Sequence, residues 1–165
     1  VQTVSYGPAA RGGTSRADVV VSDKEIDYPK AMGLDILLAM NQMACDESAG
    51  ELKPAGLLVV DSQLVPQVTY PRTVRIPFTK IAKEKCGREQ MANIVALGAL
   101  CRLIPVTPLG AGVVNLESME AAVMARIPKG TETQNKLAFD EGVKAAEEIQ
   151  KTLVFEEPAE DSDQI

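Results

Sequence analysis

An α/β fold, a three-layer sandwich whose mostly parallel sheet carries helices on both faces, is predicted by three features of the sequence. Residues 34–40 and 57–60 are short, almost uninterrupted apolar runs, and a strand without alternation is buried on both faces, as in a parallel sheet. Residues 42–52 between them read as a helix, so strand, helix and strand follow through short connections, the order of a βαβ unit. Residues 89–104 repeat apolar side chains at three- and four-residue spacing (Met91, Ile94, Val95, Leu97, Leu100, Cys101, Ile104). Small residues on the same stretch, Ala92, Ala96, Gly98 and Ala99, allow that helix to pack closely.

Taken in order, residues 1–4 form a short β-like run, and residues 17–22 a Val-rich strand that stops at the turn signal Ser22-Asp23. Residues 25–29 read as a short edge segment before a turn. After the strand at 34–40, Asn41 stands at the start of the helix, which is closed by Lys53-Pro54-Ala55-Gly56. The strand at 57–60 is stopped by Asp61-Ser62. Residues 74–78 form a further strand, an edge one because Pro77 cannot donate to a ladder. Thr79 is expected to cap a helix over 80–85 that ends at Gly87. Pro105 and Pro108 end the long helix. Further helices are expected over 116–126 and from Thr131 to Gln150, the last with Leu137, Val143, Ala146 and Ile149 inward. One domain over residues 1–154 and an acidic, solvated tail over 155–165 complete the reading.

The chain has 165 residues, enough for one domain with a sizeable core. Aromatics are only 4% with no Trp, so Val, Ile, Leu, Ala and Met must fill that core, and the six methionines are read as core filler. A formal net charge of −6 argues against a duplex nucleic-acid binder. The absence of histidine removes Ser–His–Asp and Cys–His nucleophile systems and the usual zinc ligands. Cys45, Cys86 and Cys101 form no CxxC pair, so this chain is not expected to hold zinc or an iron–sulfur cluster by itself. Reduced thiols suit a cytoplasmic protein. No apolar run is judged long enough to span a bilayer and no signal peptide opens the chain, so no membrane partner is expected. The sequence starts without Met inside a strand, and an N-terminal piece is expected to precede it.

The stretch Ser5-Tyr6-Gly7-Pro8-Ala9-Ala10-Arg11-Gly12-Gly13-Thr14 connects two apolar segments and is the least ordinary part of the chain. Glycine permits positive φ and close approach of a second backbone or a ligand. Successive N–H groups of a Gly-rich turn form an anion-binding concavity, and an arginine adds a planar fork suited to phosphate or carboxylate. The alternative is a tight connection in which Arg11 makes a structural ion pair; a Gly-rich loop alone does not choose between them. Asn41 lies at the carboxyl end of a strand, where α/β proteins place ligand groups, but a helix N-cap is the favoured reading. Asn93 is either a packing hydrogen bond or a ligand contact, the former favoured.

Ser5-Tyr6-Gly7-Pro8, then Arg11-Gly12-Gly13, then a strand ending Val21-Ser22-Asp23, resemble the gamma subunit of 2-oxoacid:ferredoxin oxidoreductases. Leu34-Asp35-Ile36-Leu37-Leu38-Ala39-Met40-Asn41-Gln42 agrees in order, as does Leu52-Lys53-Pro54-Ala55-Gly56-Leu57-Leu58-Val59-Val60-Asp61-Ser62. So do Met91-Ala92-Asn93-Ile94-Val95-Ala96-Leu97-Gly98-Ala99 and Leu116-Glu117-Ser118-Met119-Glu120-Ala121-Ala122. The family's opening strand–turn–helix of GxGGQG type is not in this sequence, which supports a missing N-terminal βα unit. Ala9 stands where the family tends to have Glu, and Thr14 after the double glycine points to the 2-oxoglutarate branch rather than the pyruvate branch.

The resemblance implies a complex, of anaerobic metabolism, that decarboxylates a 2-oxoacid, forms an acyl-CoA and passes electrons to ferredoxin. Thiamine diphosphate with magnesium would lie between alpha and beta subunits. Iron–sulfur clusters would lie in beta and in a ferredoxin-like delta subunit. The gamma subunit would carry none of these and would help assembly and the coenzyme A site. Tyr6, Gly7, Arg11, Gly12, Gly13 and Asn41 are the residues expected at coenzyme A or at the interface. A purely structural subunit without ligand contacts is the competing reading; a free-standing nucleotide-binding domain is disfavoured, since no phosphate-binding Gly-rich turn opens a helix here.

Overall fold

The computed structural model describes residues 1–6, 15–28, 30–107, 109–110 and 112–153. Its centre is a parallel three-stranded sheet of order β3-β4-β5, formed by β3 (Leu34–Ala39), β4 (Leu52–Asp61) and β5 (Thr73–Ile76). A separate antiparallel ribbon joins β1 (Gln2–Tyr6) to β2 (Ser15–Val19). The expected α/β class with helices on both sides of the sheet is what forms. The βαβ unit is β3, α1 (Gln42–Ser48) and β4, with β3 and β4 parallel.

Period-2 alternation divides the core in two. Leu57 and Val59 of β4 and Val74 and Ile76 of β5 face α2 (Phe78–Cys86), α3 (Ala92–Leu103) and α5 (Glu132–Gln150). Leu58 and Val60 point the other way, onto Ala39, Val65 and Cys45 of α1. Leu57 through Val60 are all fully buried, so β4 is the central strand the continuous apolar run demands. β3 has the same kind of sequence but lies at the sheet edge among the described residues, and four of its six side chains are only half-buried.

The third layer is set by glycine. A Cβ on Gly98 of α3 would sit 2.1 Å from the carbonyl oxygen of Phe139, and one on Gly142 of α5 would sit 1.9 Å from that of Val95. These two positions let the backbones of α3 and α5 touch, which the small residues of α3 foreshadow. α4 (Leu116–Met124), capped by Asn115 accepting from the N–H of Ser118 at 3.2 Å, lies against both through Val123, Phe139 and Cys101.

Several sequence expectations shift. β2 covers 15–19 rather than 17–22, and residues 25–28 form no strand. β4 begins at Leu52, so Lys53-Pro54-Ala55-Gly56 belong to the strand and not to the helix closure. The ladder passes from Leu34↔Leu52 to Ile36↔Leu57 and the surplus residues bulge, the setting in which a strand tolerates Pro54. Tyr70 holds that bulge by donating its O–H to the carbonyl of Lys53 at 2.6 Å. Thr79 is not a cap: Pro77 occupies the N-cap position of α2, and the N–H of Thr79 is bound by Asp61. Gly87 closes α2 in the left-handed region, φ 73°, as expected. The buried face of α5 is Asn135, Ala138, Phe139, Gly142 and Ala146, whereas Leu137 is exposed. Met32 and Met43 are exposed too and fill no core. Glu89–Val106, contrary to expectation, is long and apolar enough by length and composition to cross a membrane, with mean hydropathy 1.2. It is instead the core helix, flanked by 3₁₀ turns at Glu89–Met91 and Ile104–Val106, with Val95, Ala96, Ala99 and Leu103 fully buried.

Candidate functional site

The Gly-rich connection closes the β1–β2 ribbon, whose register runs from Gln2↔Val19 to Tyr6↔Ser15. Tyr6 is therefore the last residue of β1; Gly7, Arg11, Gly12 and Gly13 lie outside the described residues. What the structure does show is how the root of this connection is held. Arg16, one residue into β2, forks onto Glu51 with Nη1–Oε1 2.5 Å and Nη2–Oε2 2.9 Å, and its Nε donates to Asp18 at 2.6 Å. Both carboxylates keep the guanidinium charged and raise its pKa, chiefly through the hydrogen bond to Glu51, and the same bond draws the Glu51 carboxyl below its ordinary range. Glu51 ends the 3₁₀ turn Ala49–Glu51 that leads into β4, so the root of the connection sits at the amino end of the central strand.

The ribbon is amphipathic in an inverted sense. In β2 the charged Arg16 and Asp18 lie on the half-buried side, while Ser15, Ala17 and Val19 are exposed. The register puts Val4 opposite Ala17 and Gln2 opposite Val19 on that same outer side. Val4 is 50% and Val19 67% exposed. An isolated two-stranded ribbon is marginal in water, and this one turns its apolar side chains outward.

Asn41 lies elsewhere. Its Oδ1 accepts from the N–H of Ala44 at 2.8 Å, so it caps α1 from the carboxyl end of β3. α1 and its 3₁₀ turn separate it from Glu51 by about 16 Å along the helix. The residues singled out in the sequence are thus divided between two ends of the sheet. Next to Asn41, Gln42 donates to Asp46 and to the carbonyl of Gln67, and accepts from the N–H of Gln67, which ties the carboxyl edge to the segment before β5. Asn93 is exposed; its Oδ1 accepts from the neighbouring N–H of Ile94.

Asp61, which the sequence marks as a strand stop, is the most committed polar group of that edge. It is fully buried, and its two oxygens accept from the N–H groups of Gln63 (2.9 Å), Leu64 (3.4 Å) and Thr79 (2.8 Å). One carboxylate thus fixes the turn after β4 and the first turn of α2. An acidic residue directly after a buried apolar run was the available signal.

The donor set does not suit a metal cluster: among the described residues no three His, Cys, Asp or Glu converge. Cys45, Cys86 and Cys101 are buried on three different helices. Burial pushes each thiol upward, helped at Cys45 by Asp46 and at Cys86 by Glu141. They are protonated, inert side chains at neutral pH.

Comparison with known proteins bears on this geometry. Residues 1–145 match the family described as pyruvate ferredoxin/flavodoxin oxidoreductase. The chain is 44% identical over 153 residues to the 2-oxoglutarate synthase subunit KorC of Methanocaldococcus jannaschii, covering 90% of this chain and 78% of that one. It is 42% identical over 159 residues to the subunit of the same name in Methanothermobacter marburgensis, covering 92% and 82%. Among solved structures, the gamma subunit of a keto/oxoacid ferredoxin oxidoreductase from Geobacter sulfurreducens superposes with a TM-score of 0.73 at 38% identity, over 90% of this chain and 80% of that one.

Proposed function

This chain belongs to the pyruvate ferredoxin/flavodoxin oxidoreductase family as a gamma-type subunit of a 2-oxoacid:ferredoxin oxidoreductase, and we propose that its ribbon and Gly-rich connection form the surface it offers to the catalytic subunits. The observation that carries this reading is the outward apolar side of β1 and β2, with Val4 and Val19 uncovered. A partner that covers it buries the valines and brings Tyr6, Gly7, Arg11, Gly12 and Gly13 against the shared site. There Arg11 meets a phosphate of coenzyme A or a partner carboxylate. Asn41 spends its oxygen on the cap of α1 and contributes at most its NH₂ group.

The substrate favoured is 2-oxoglutarate, the acid named for the relatives at 44% and 42% identity. Alpha, beta and ferredoxin-like delta subunits are the proposed partners, with ferredoxin as electron acceptor and the cytoplasm as the compartment. The iron–sulfur clusters are assigned to those other chains, because the cysteines here are scattered, buried and protonated; thiamine diphosphate and magnesium are assigned there on the family resemblance alone. Residues 1–154 act as one unit and 155–165 as an appended acidic tail.

Steady-state assays of the purified complex test this. Turnover on 2-oxoglutarate should exceed that on pyruvate, and Arg11→Ala should raise the KM for CoA while the subunits stay together. A complex that prefers pyruvate removes the substrate assignment. Unchanged CoA kinetics with unchanged assembly leaves the purely structural reading.

A further inference from the structure

A second surface lies far along the chain from the ribbon. The amino end of α3, the length of α4 and the start of α5 enclose a groove of ≈ 940 Å³. Its floor is apolar: Met91 and Val123 are buried, and Ile94, Leu97, Met119 and Ile127 are half-buried with surface still facing the groove. Its rim is cationic. Arg88 and Arg126 are exposed, and neither joins an ion pair with a carboxylate among the described residues; Arg126 reaches only the carbonyl of Ala122, at 3.4 Å. Among the described residues no Asp or Glu lines the groove, although the chain has 23 acidic residues against 17 basic ones. The rim is thus opposite in sign to the net charge of the chain.

An apolar trough between helices, open along one side, matches the apolar stripe of an amphipathic helix, and its flanking arginines match carboxylates beside that stripe. Half-buried methionine adapts to such a partner at little cost. We propose that this groove receives an acidic amphipathic segment of another subunit of the oxidoreductase, at an interface distinct from the ribbon. The inference needs only that the chain works within a multi-subunit complex. It is independent of which 2-oxoacid is used and of whether Arg11 meets coenzyme A.

The purified complex tests it, with Arg88→Glu/Arg126→Glu compared with Arg88→Lys/Arg126→Lys and with wild type. Charge reversal should weaken retention of this chain by about tenfold or more and flatten the salt dependence of assembly. The Lys variant should stay within a few-fold of wild type, and the Tm of both isolated variants should equal that of the isolated wild-type chain, which separates loss of docking from loss of fold. Hydrogen exchange over residues 91–97 and 119–127 should slow on assembly. A photocrosslinker at Gln90 should join a peptide of another subunit that carries both carboxylates and apolar residues. Retention unaffected by charge reversal, exchange identical in isolated chain and complex, or crosslinks confined to residues 154–165 of the chain itself would each overturn the proposal.

Discussion

The α3–α5 contact and the β1–β2 ribbon are the two extremes of this molecule. In the first, two helix backbones meet at Gly98 and Gly142 with no room for a methyl group. Ala96, Ala99, Ala138 and Ala146 are all fully buried around that contact. In the second, the charged side of β2 faces inward, the valines face water, and the bidentate pair Arg16–Glu51 fastens the ribbon to the turn before β4. Dense packing of small side chains makes the helical layer self-sufficient. A surface ion pair contributes only about 0–1 kcal/mol, so Arg16–Glu51 alone fastens the ribbon only weakly to the turn before β4. Under the proposed function, the contrast separates a self-packed body from a ribbon that a partner completes.

The largest effect that would break this comparison is at Gly142. An added methyl would meet the carbonyl of Val95, and backbone cannot rotate aside as a side-chain tip can. Gly142→Ala should therefore destabilise the chain by roughly 3 kcal/mol or more, despite the better helix propensity of alanine. Denaturant melts of the isolated chain read this directly. A neutral or stabilising Gly142→Ala would mean that α3 and α5 are not in backbone contact.

Second is Asp61, where three N–H donors depend on one fully buried carboxylate. Asp61→Ala leaves them without a partner inside the fold and should cost about 3 kcal/mol. The loss should fall on the junction of β4 and α2, so hydrogen exchange at Gln63 and Thr79 should accelerate more than at α5. Equal acceleration throughout would show that Asp61 acts on global stability alone.

The contrast also accounts for what the sequence disclosed. β4 and α3 were legible because continuous burial and three-to-four spacing are imposed by one chain's own core. The parallel order followed from the short strand–helix–strand connections. β3, whose apolar run predicts burial on both faces, is half-buried at four of six positions and lies at the sheet edge among the described residues, because a strand's sequence does not name its neighbours. The start of β4 was missed because Pro54 signals a break, and only the ladder beyond the bulge with Tyr70 beneath it keeps residues 52–56 in the strand. Thr79 looked like a cap because capping residues are read locally, whereas Asp61 comes from 18 residues earlier. Leu137 was placed inward because it is apolar, but the neighbour that α5 meets is backbone, and backbone contact selects glycine and alanine. The outward valines of the ribbon satisfy the rules of a strand equally well in either orientation. Only the register and the Arg16–Glu51 pair reveal which side faces the body.

The smallest expected effect sharpens the other half of the comparison. Arg16→Ala removes the exposed pair with Glu51 and also the partner of Asp18, whose side chain is only 11% exposed, so the isolated chain should lose at most about 2 kcal/mol. The pH dependence carries a sign that can be checked. Glu51 has a folded-state pKa drawn below its unfolded value of about 4.3, so its contribution is present above that value. It disappears as pH falls through the lower folded value. Wild type and Arg16→Ala should therefore differ at pH 7, and the part of the difference due to Glu51 should shrink only as pH drops below its unfolded value and through the lower folded one. Within the assembled complex the same substitution should matter more, because a ribbon that swings free must be ordered again when its valines are covered, an entropy cost the ion pair otherwise prepays. Weaker assembly with only a modest fall in the Tm of the isolated chain is the expected pattern. A large fall in the Tm of the isolated chain would instead make the ribbon an integral part of the fold, and the division between self-sufficient body and completed arm would fail.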